Sequence, residues 1–433
     1  MTSAMKKLAI VTLLLLSCFL SQGQETLKIM QYNLLHYGVN SSFCTSSNNN
    51  VNNKDGYIRT ILSEYNPDLL TVNEFGSDPS LPERFLNNNL NINGVNYWKT
   101  TETINHASSD LVNAIFYDSR KMTLTSHKTA QNYIRDIDVY KLYFNTESLE
   151  QGDTIFMYCV IAHLKAGTGS DNEEKRKFMA QNTMNYLRNY CADANVLVMG
   201  DFNLYSADED AYKILTNSSL YPNSYFIDPI EDDGVGDWNN NGAFARYHTQ
   251  STNASGNSCR TGGGMDDRFD FIMMSENIRT GRNGVRYVED SYMALGQDGN
   301  HFNRSINASG NDAVPQEVAN ALYYNSDHLP ITMRISIDDR WDVEDISADI
   351  IDFKMYPNPA SNNLHVSFKQ QSHGKVEIKI FNALGQTMLR DHPDSEPGEQ
   401  HYKLDIETLT QGIYLLQIIT PDGTSHAERL IIR

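Results

Sequence analysis

The sequence predicts an α/β fold followed by a small all-β region, and three observations carry that expectation. Between Leu27 and Ile337, short apolar runs ending in polar residues alternate with stretches of helical spacing. An acidic stretch without a clear period, 338–352, interrupts the pattern. From Tyr356 onward the runs are short and strand-like, separated by turn residues.

The elements follow in order. Leu27–Asn33 alternates and reads as a first strand ending in Asn33, before a Ser/Asn-rich loop at 40–53. Ile58, Ile61 and Leu62 give Asp55–Tyr65 helical spacing, and Asn66-Pro67 stops it because the residue before proline avoids helix. Asp68–Glu74 is a buried strand ending in a carboxylate, and Leu111–Tyr117 is another before a turn at Asp118-Ser119. Thr154–His163 ends in histidine, and Glu173–Tyr190 reads as a helix carrying Phe178, Met179 and Leu187.

Val196-Leu-Val-Met-Gly-Asp-Phe-Asn203 opens as a buried strand, and Gly200 permits a tight turn. Asp201 and Asn203, two apart on extended chain, share a face. The Gly/Asn/Asp-rich segment 231–267 is longer than a plain connector and reads as a functional or a disordered loop. Arg268–Met274 is a strand with Asp270 inside it, and Asn325-Ser-Asp-His-Leu-Pro-Ile331 leads into a closing strand, Ile331–Ile337. In the tail, Leu364–Phe368, Lys375–Phe381, Gly412–Ile419 and Arg429–Ile432 suggest a β-sandwich, with turns at Asn358-Pro359, Leu384-Gly385 and Pro421-Asp-Gly423.

The first residues read as an export signal, 1–23. Lys6 and Lys7 precede an apolar run, Leu8–Leu20, and Ser21-Gln-Gly23 offers a cleavage site. That run is too short for a membrane span, and no other stretch is long and apolar enough, so no integral span is expected once the signal is removed. Leu15-Leu-Ser-Cys18 resembles a lipoprotein box, the alternative in which Cys18 is acylated. The expected domains are therefore the signal, an α/β region 24–337, a linker 338–352 and a tail 353–433.

Without the signal, Cys44, Cys159, Cys191 and Cys259 remain, which permit three pairings. Cys159 lies in a strand-like run and Cys191 ends a helix-like stretch, which makes Cys159–Cys191 a candidate bridge; Cys44 and Cys259 sit in polar loops and stay unassigned. The absence of Cys-x-x-Cys disfavours zinc ribbons and thioredoxin chemistry. Net charge is −19. Two lysines and no acid stand in residues 1–23, and seven basic against nine acidic residues follow residue 354, so the whole excess belongs to 24–354. Such acidity disfavours a nonspecific polyanion binder and suits a cleft that recruits cations.

Five strand ends carry polar groups: Asn33, Glu74, His163, Asp201 with Asn203, and Asp327 with His328. Asp270 adds a sixth. Side chains at the ends of several strands converge at one sheet edge. Glu74, Asp327 and the amide oxygen of Asn33 are hard ligands that suit Mg²⁺ or Mn²⁺. A histidine oriented by a carboxylate is acid–base equipment. Together these types fit attack of water on a phosphate ester. Lys165, Arg246 and His248 are further candidates for substrate phosphate.

This set resembles the endonuclease/exonuclease/phosphatase superfamily. The matching stretches are Gln31-Tyr-Asn33, Thr71-Val-Asn-Glu74, Ile161-Ala-His163, Gly200-Asp-Phe-Asn203, Arg268-Phe-Asp270 and Ser326-Asp-His328, in the family's order over about 27–337. The resemblance implies a four-layer α/β sandwich of two mixed sheets flanked by helices, with the site at one sheet edge. It implies a metal (Mg²⁺, or Mn²⁺ or Ca²⁺) held by Glu74 with Asn33 and Asp327 near it. It implies that Asp201 orients or deprotonates water and that Asn203 holds a phosphate oxygen. His328, fixed by Asp270, contacts the scissile phosphate, and His163 is a second phosphate-side histidine or acid. Two departures stand out. Leu35 occupies the position where some members carry a second carboxylate, and the phosphate-side tyrosine of some members has only Tyr117 as a candidate.

The tail resembles the C-terminal sorting domain of the type IX secretion system of Bacteroidetes, through Tyr356-Pro-Asn-Pro-Ala360, Asn382-Ala-Leu-Gly385, Gly412-Ile-Tyr414 and Arg429-Leu-Ile-Ile-Arg433. It implies that the secretion machinery is a partner and that the chain is secreted or surface-held. The expected function is secreted, metal-dependent phosphoester hydrolysis, read first as an endonuclease or phosphodiesterase. The alternatives are a phosphatase or sphingomyelinase-like phospholipase on lipid or sugar phosphates, and a non-catalytic binding protein. Specificity is expected in the loops at 36–56, 231–267 and 296–325.

Overall fold

The computed structural model describes residues 25–146, 149, 154–231, 234–338, 351–370, 373–382, 385–421 and 425–433. The expected signal with Cys18 and most of the expected linker lie outside the described residues. The chain divides into two units, Met1–Arg340 and Trp341–Arg433.

In the first unit, strands β1 (Glu25–Tyr37), β2 (Leu69–Gly76), β3 (Trp98–Thr100) and β4 (Leu111–Asp118) build one sheet with three later strands. Next come β5 (Met122–Gln131), β6 (Ile137–Phe144), β7 (Phe156–His163), β8 (Val196–Asp201), β9 (Phe226–Ile227) and β10 (Asp270–Ser275), which form the other. The late strands of the first sheet are β11 (Val285–Tyr287), β12 (Met293–Ala294) and β13 (Ile331–Ile337). Its order is β11-β13-β1-β2-β4-β3, with β12 on β13; that of the second is β5-β6-β7-β8-β10-β9. Both are mixed, because β1 runs parallel to β2 and β7 parallel to β8 while their other neighbours are antiparallel.

Four helices complete the layers: α1 (Val51–Tyr65), α2 (Ser170–Tyr190), α3 (Asp210–Thr216) and α4 (Gln316–Asn325). Met157, Cys159, Ile161, Leu197 and Met199 belong to the core they share with the first sheet. Their neighbours Val160, Ala162 and Val198 face the other way, onto Met179, Met184 and Leu187 of α2 and Leu215 of α3. Ile58, Ile61 and Leu62 of α1 and Val318, Ala319 and Leu322 of α4 pack with the first sheet. The result is helix, sheet, sheet, helix, with the central strands buried on both faces.

Several local outcomes differ from expectation. Helix α1 begins at Val51 because Asn50 caps it, accepting from the N–H groups of Asn52 (2.9 Å) and Asn53 (3.3 Å). Strands β5 and β6 escape the sequence reading; β5 is a half-buried edge strand with weak apolar alternation. Gly200 does not turn the chain. It lies inside β8, opposite Ala162 and Phe271, where a Cβ would come 1.8 Å from the Ala162 carbonyl oxygen. The expected Cys159–Cys191 bridge is absent: both are free and buried, and the disulfide joins Cys44 to Cys259. The reason is strand parity. Cys159 faces the core between the sheets and Cys191 the core under α2, on opposite sides of the second sheet.

A polar column crosses the mainly apolar space between the sheets. Asn73 Oδ1 accepts from the Asp201 N–H (2.9 Å), and Asn73 Nδ2 donates to Asn113 Oδ1 (2.7 Å). Asn113 Nδ2 donates to Asp138 Oδ2 (2.8 Å), and Asp138 Oδ1 pairs with His127 Nε2 at 2.8 Å. All these buried groups are thereby satisfied, as burial requires.

The second unit is all-β and antiparallel. Strands β14 (Ile351–Tyr356), β15 (Asn363–Gln370), β16 (Gly374–Lys375), β17 (Glu377–Asn382), β18 (Thr387–Asp391), β19 (Asp394–Ser395), β20 (Gly398–Asp405), β21 (Gly412–Ile419) and β22 (Ser425–Ile432) form sheets β14-β15-β20, β18-β17-β21-β22 and a β16-β19 ribbon. Alternate residues such as Val366, Phe368, Ile378, Ile380, Leu416 and Ile418 meet in one core.

Candidate active site

Register brings the predicted residues to one level. Across the second sheet, His163 pairs with Asp201 on β8, and Asp201 pairs with Asp270 on β10. Across the first, Asn33 pairs with Asn73, the residue before Glu74. Regular alternation would turn Glu74 away from Asn73's face. Instead its φ is +53° and the pairing shifts between Val72 and Phe75, a bulge that re-aims the carboxylate. A left-handed glutamate is costly, and such strain gathers at functional sites.

Asn33 joins the two sheets. Its Nδ2 donates to Glu74 Oε1 (3.2 Å) and Asp201 Oδ2 (3.0 Å), while its Oδ1 accepts from the Leu35 N–H (2.9 Å). The amide thus turns its nitrogen, not its oxygen, toward the carboxylates. Glu74 Oε2 accepts from the His36 N–H (3.2 Å), and its Oε1 lies 3.9 Å from His163 Nε2. His163 Nε2 is also 3.5 Å from Asp201 Oδ2. Asp201 Oδ1 accepts from the Asn203 N–H (3.0 Å), closing a turn in which Asn203 has φ +50°. The two side chains are set by this turn rather than by extended chain.

His328 stands between two carboxylates. Its Nδ1 is 2.7 Å from Asp270 Oδ2 and its Nε2 is 3.7 Å from Asp201 Oδ2. Burial opposes its charge, but Asp270 and Asp201 hold its pKa well above the ordinary value. Burial pushes Asp201 the other way, up to about 7, against the pull of His328. Burial, with Arg135 and His328 as charged neighbours, drives the His163 pKa well down and keeps that ring neutral. Asp327 gives Oδ2 to the Thr261 N–H (2.8 Å), while its Oδ1 is buried without a hydrogen-bond partner.

Glu74, His163 and Asp201 each offer a ligand atom, all within 4.8 Å of one another. Two carboxylates and one neutral imidazole fit a divalent cation by their chemistry, while the orphaned Asp327 Oδ1 stands outside that group.

Of the other candidates, Tyr117 and His248 fall elsewhere, while the Lys165 charge acts on His163. Tyr117 pairs with Leu69 at the start of β2, about 16 Å of strand from Glu74. His248 is buried with its nitrogens on the carbonyls of Met265 (3.2 Å) and Trp238 (3.0 Å), a structural role. Lys165 Nζ donates to the Ala166 carbonyl (2.8 Å), and Arg246 lies over the Tyr247 ring at 5.0 Å. Three neighbours were not singled out from sequence. Gln250 sits 2.7 Å from His328 Nε2. His36 Nε2 is 3.7 Å from Glu74. Arg135 feels the charges of Glu74 and Asp201 and donates to the Leu164 carbonyl (3.2 Å). Arg135 follows an isoleucine on no recognised run, so only its charge could have marked it.

The endonuclease/exonuclease/phosphatase family model matches residues 30–328. The chain belongs to this family. Residues 354–433 match the secretion system C-terminal sorting domain. No curated protein matches the chain. Similar solved structures include a humanized TDP2 of D. rerio, at 15% identity over 72% of this chain and 98% of that one, TM-score 0.44. The endonuclease/exonuclease/phosphatase of Beutenbergia cavernae is similar at 12% identity, over 94% and 100%, TM-score 0.43. The human nocturnin catalytic domain is similar at 15% identity, over 72% and 95%, TM-score 0.43. Enzymes of the endonuclease/exonuclease/phosphatase family are typically phosphoester hydrolases that generally depend on a divalent metal, and in this member Glu74, His163 and Asp201 form a group that could hold a metal ion. Its sorting domain implies export, and among the described residues no helix is long and apolar enough to cross a membrane.

Proposed function

We propose that the chain is an exported phosphodiesterase, an endonuclease in the first instance, dependent on Mg²⁺ or Mn²⁺ and delivered by the type IX secretion machinery. The observation that carries this reading is the placing of Asp201 between a metal-competent pair, Glu74 and His163, and an imidazolium, His328. Glu74, His163 and Asp327 would hold the cation, with Asn33 orienting Glu74. The cation, when bound, neutralises phosphate charge and acidifies water. Asp201 takes the proton of the attacking water, and a carboxylate raised to about 7 suits that task at neutral pH. His328, kept charged by Asp270, donates from Nε2 to a phosphoryl oxygen, which requires the Gln250 amide, 2.7 Å from that nitrogen, to turn aside. The Asn203 amide and the Arg135 guanidinium supply further donors to the phosphate.

The acidity of 24–354 favours a second reading, a phosphatase or sphingomyelinase-like phospholipase with a small phosphorylated substrate. Incubating the full exported chain with supercoiled plasmid, with Mg²⁺ or with chelator, separates the two. Metal-dependent nicking that His328→Ala abolishes supports the endonuclease. Absence of nicking, with turnover on a panel of phosphomonoesters and phospholipids, selects the second reading.

A further inference from the structure

The Cys44–Cys259 disulfide spans 215 residues of sequence and closes the loop after β1 onto the loop before β10. Polar contacts reinforce the seam: Asn48 Nδ2 donates to Ser258 Oγ (2.8 Å), and Ser258 Oγ to the Phe43 carbonyl (3.2 Å). The second loop has a narrow neck. The Gly264 N–H donates to the Asn253 carbonyl (3.0 Å) and the Gly263 N–H to that of Ala254 (3.2 Å). A Cβ on Gly262 would meet the Gly256 nitrogen at 2.3 Å.

Between neck and disulfide no residue from Ala254 to Gly263 is buried, so no apolar anchor fixes the loop. Yet Thr261 is held from both sides. Its carbonyl accepts from Ser251 Oγ (2.5 Å), and its N–H donates to Asp327 Oδ2. That single bond decides which oxygen of Asp327 is engaged. The other, Oδ1, is left buried and unpartnered.

We propose that the Cys44–Cys259 disulfide is a positioning device for the cation site. It holds the 253–264 loop so that the Thr261 N–H fixes one oxygen of Asp327 and leaves the other for the cation. This rests on the reading above in which Asp327 is a cation ligand. A partner that orients a carboxylate ligand affects metal affinity without touching the metal. The loop lacks a core of its own, so the covalent link supplies the order that packing supplies elsewhere.

The test is a thermodynamic cycle on the full chain, stripped with chelator and titrated with Mn²⁺ by calorimetry. The C44S/C259S variant should bind Mn²⁺ about 10-fold more weakly or worse, as should Asp327→Asn. The triple variant should bind no more weakly than Asp327→Asn alone, because both changes remove one interaction. Wild-type affinity in C44S/C259S, or additive losses in the triple variant, overturns the proposal. Wild-type affinity in Asp327→Asn refutes instead the ligand role of Asp327, a separate failure. If the serine variant does not fold, the same titration is made on folded wild-type protein reduced with a phosphine and checked by mass.

Discussion

Asp201 and Asp270 are direct partners across the antiparallel β8–β10 ladder, and the His328 ring stands beside both, 2.7 Å from one and 3.7 Å from the other. Two buried carboxylates at one register level would repel each other strongly; the ring between them is what makes the arrangement tenable.

Removing one carboxylate should therefore act through the histidine. Asp270→Asn should lower kcat on the order of 10²- to 10⁴-fold, because the ring loses its charge and its orientation. A group whose folded pKa is raised contributes stability that is complete below its unfolded value and is lost as pH rises through the folded one. His328 in the parent should thus stabilise the protein at pH 6 and progressively less on the alkaline side. In Asp270→Asn that slope should flatten, which thermal melts across pH 6–10 would reveal; an unchanged slope would exclude the pairing as its source.

Asp201→Asn should separate stability from activity. The folded pKa of Asp201 is raised from 3.8 to about 7, so its charge costs stability once pH exceeds the unfolded value and costs it fully above about 7. The metal-free variant should melt higher than the parent at pH 8 and equally at pH 3.5, while its hydrolysis is lost. A lower melting temperature at pH 8 would contradict the buried-charge account.

Glu74→Gln should remove the response to cation. A ligand that binds only the folded state at 100 times its Kd stabilises by about 2.7 kcal/mol, which the parent should display in a Mn²⁺ melt. The variant should melt alike with Mn²⁺ and with chelator. A retained shift would place the cation elsewhere.

Gly200→Ala should be costly for a backbone reason. Its φ is +143° and the added methyl would overlap the Ala162 carbonyl, so β7 and β8 must part where His163 and Asp201 are paired. A loss of about 3 kcal/mol or more is expected in urea unfolding.

Cys159 and Cys191 should stay silent toward thiol reagents until the chain unfolds. Burial raises both thiols, Cys191 to about 11, and shields them from attack. Labelling of either in the native protein would contradict their placement.

The family and the layered fold were legible because the site residues sit at strand ends, and apolar runs of strand length announce where those ends are. Glu74, Asp201 and His328 could be singled out as candidates for that reason. What the chain concealed depends on direction rather than on identity. Whether Asn33 turns oxygen or nitrogen toward Glu74 is decided by the Leu35 N–H, two residues beyond the strand pairing. The face of Cys159 follows from counting parity along β7, which a run of apolar residues on both faces hides. Thr261 and Gln250 come from an irregular loop, where no period links position to environment.

The column from Asn73 through Asn113 to Asp138 bears on how the two sheets find each other. Apolar faces slide over one another with little preference, and a slip by one residue pair would still bury Met and Ile. It would also strand two amides and a carboxylate in a dry interior, a penalty no alternative docking escapes. The column thus acts as an alignment key: it selects one offset of sheet against sheet, so the loops at the rim can diverge while both sets of strand ends still meet at one height.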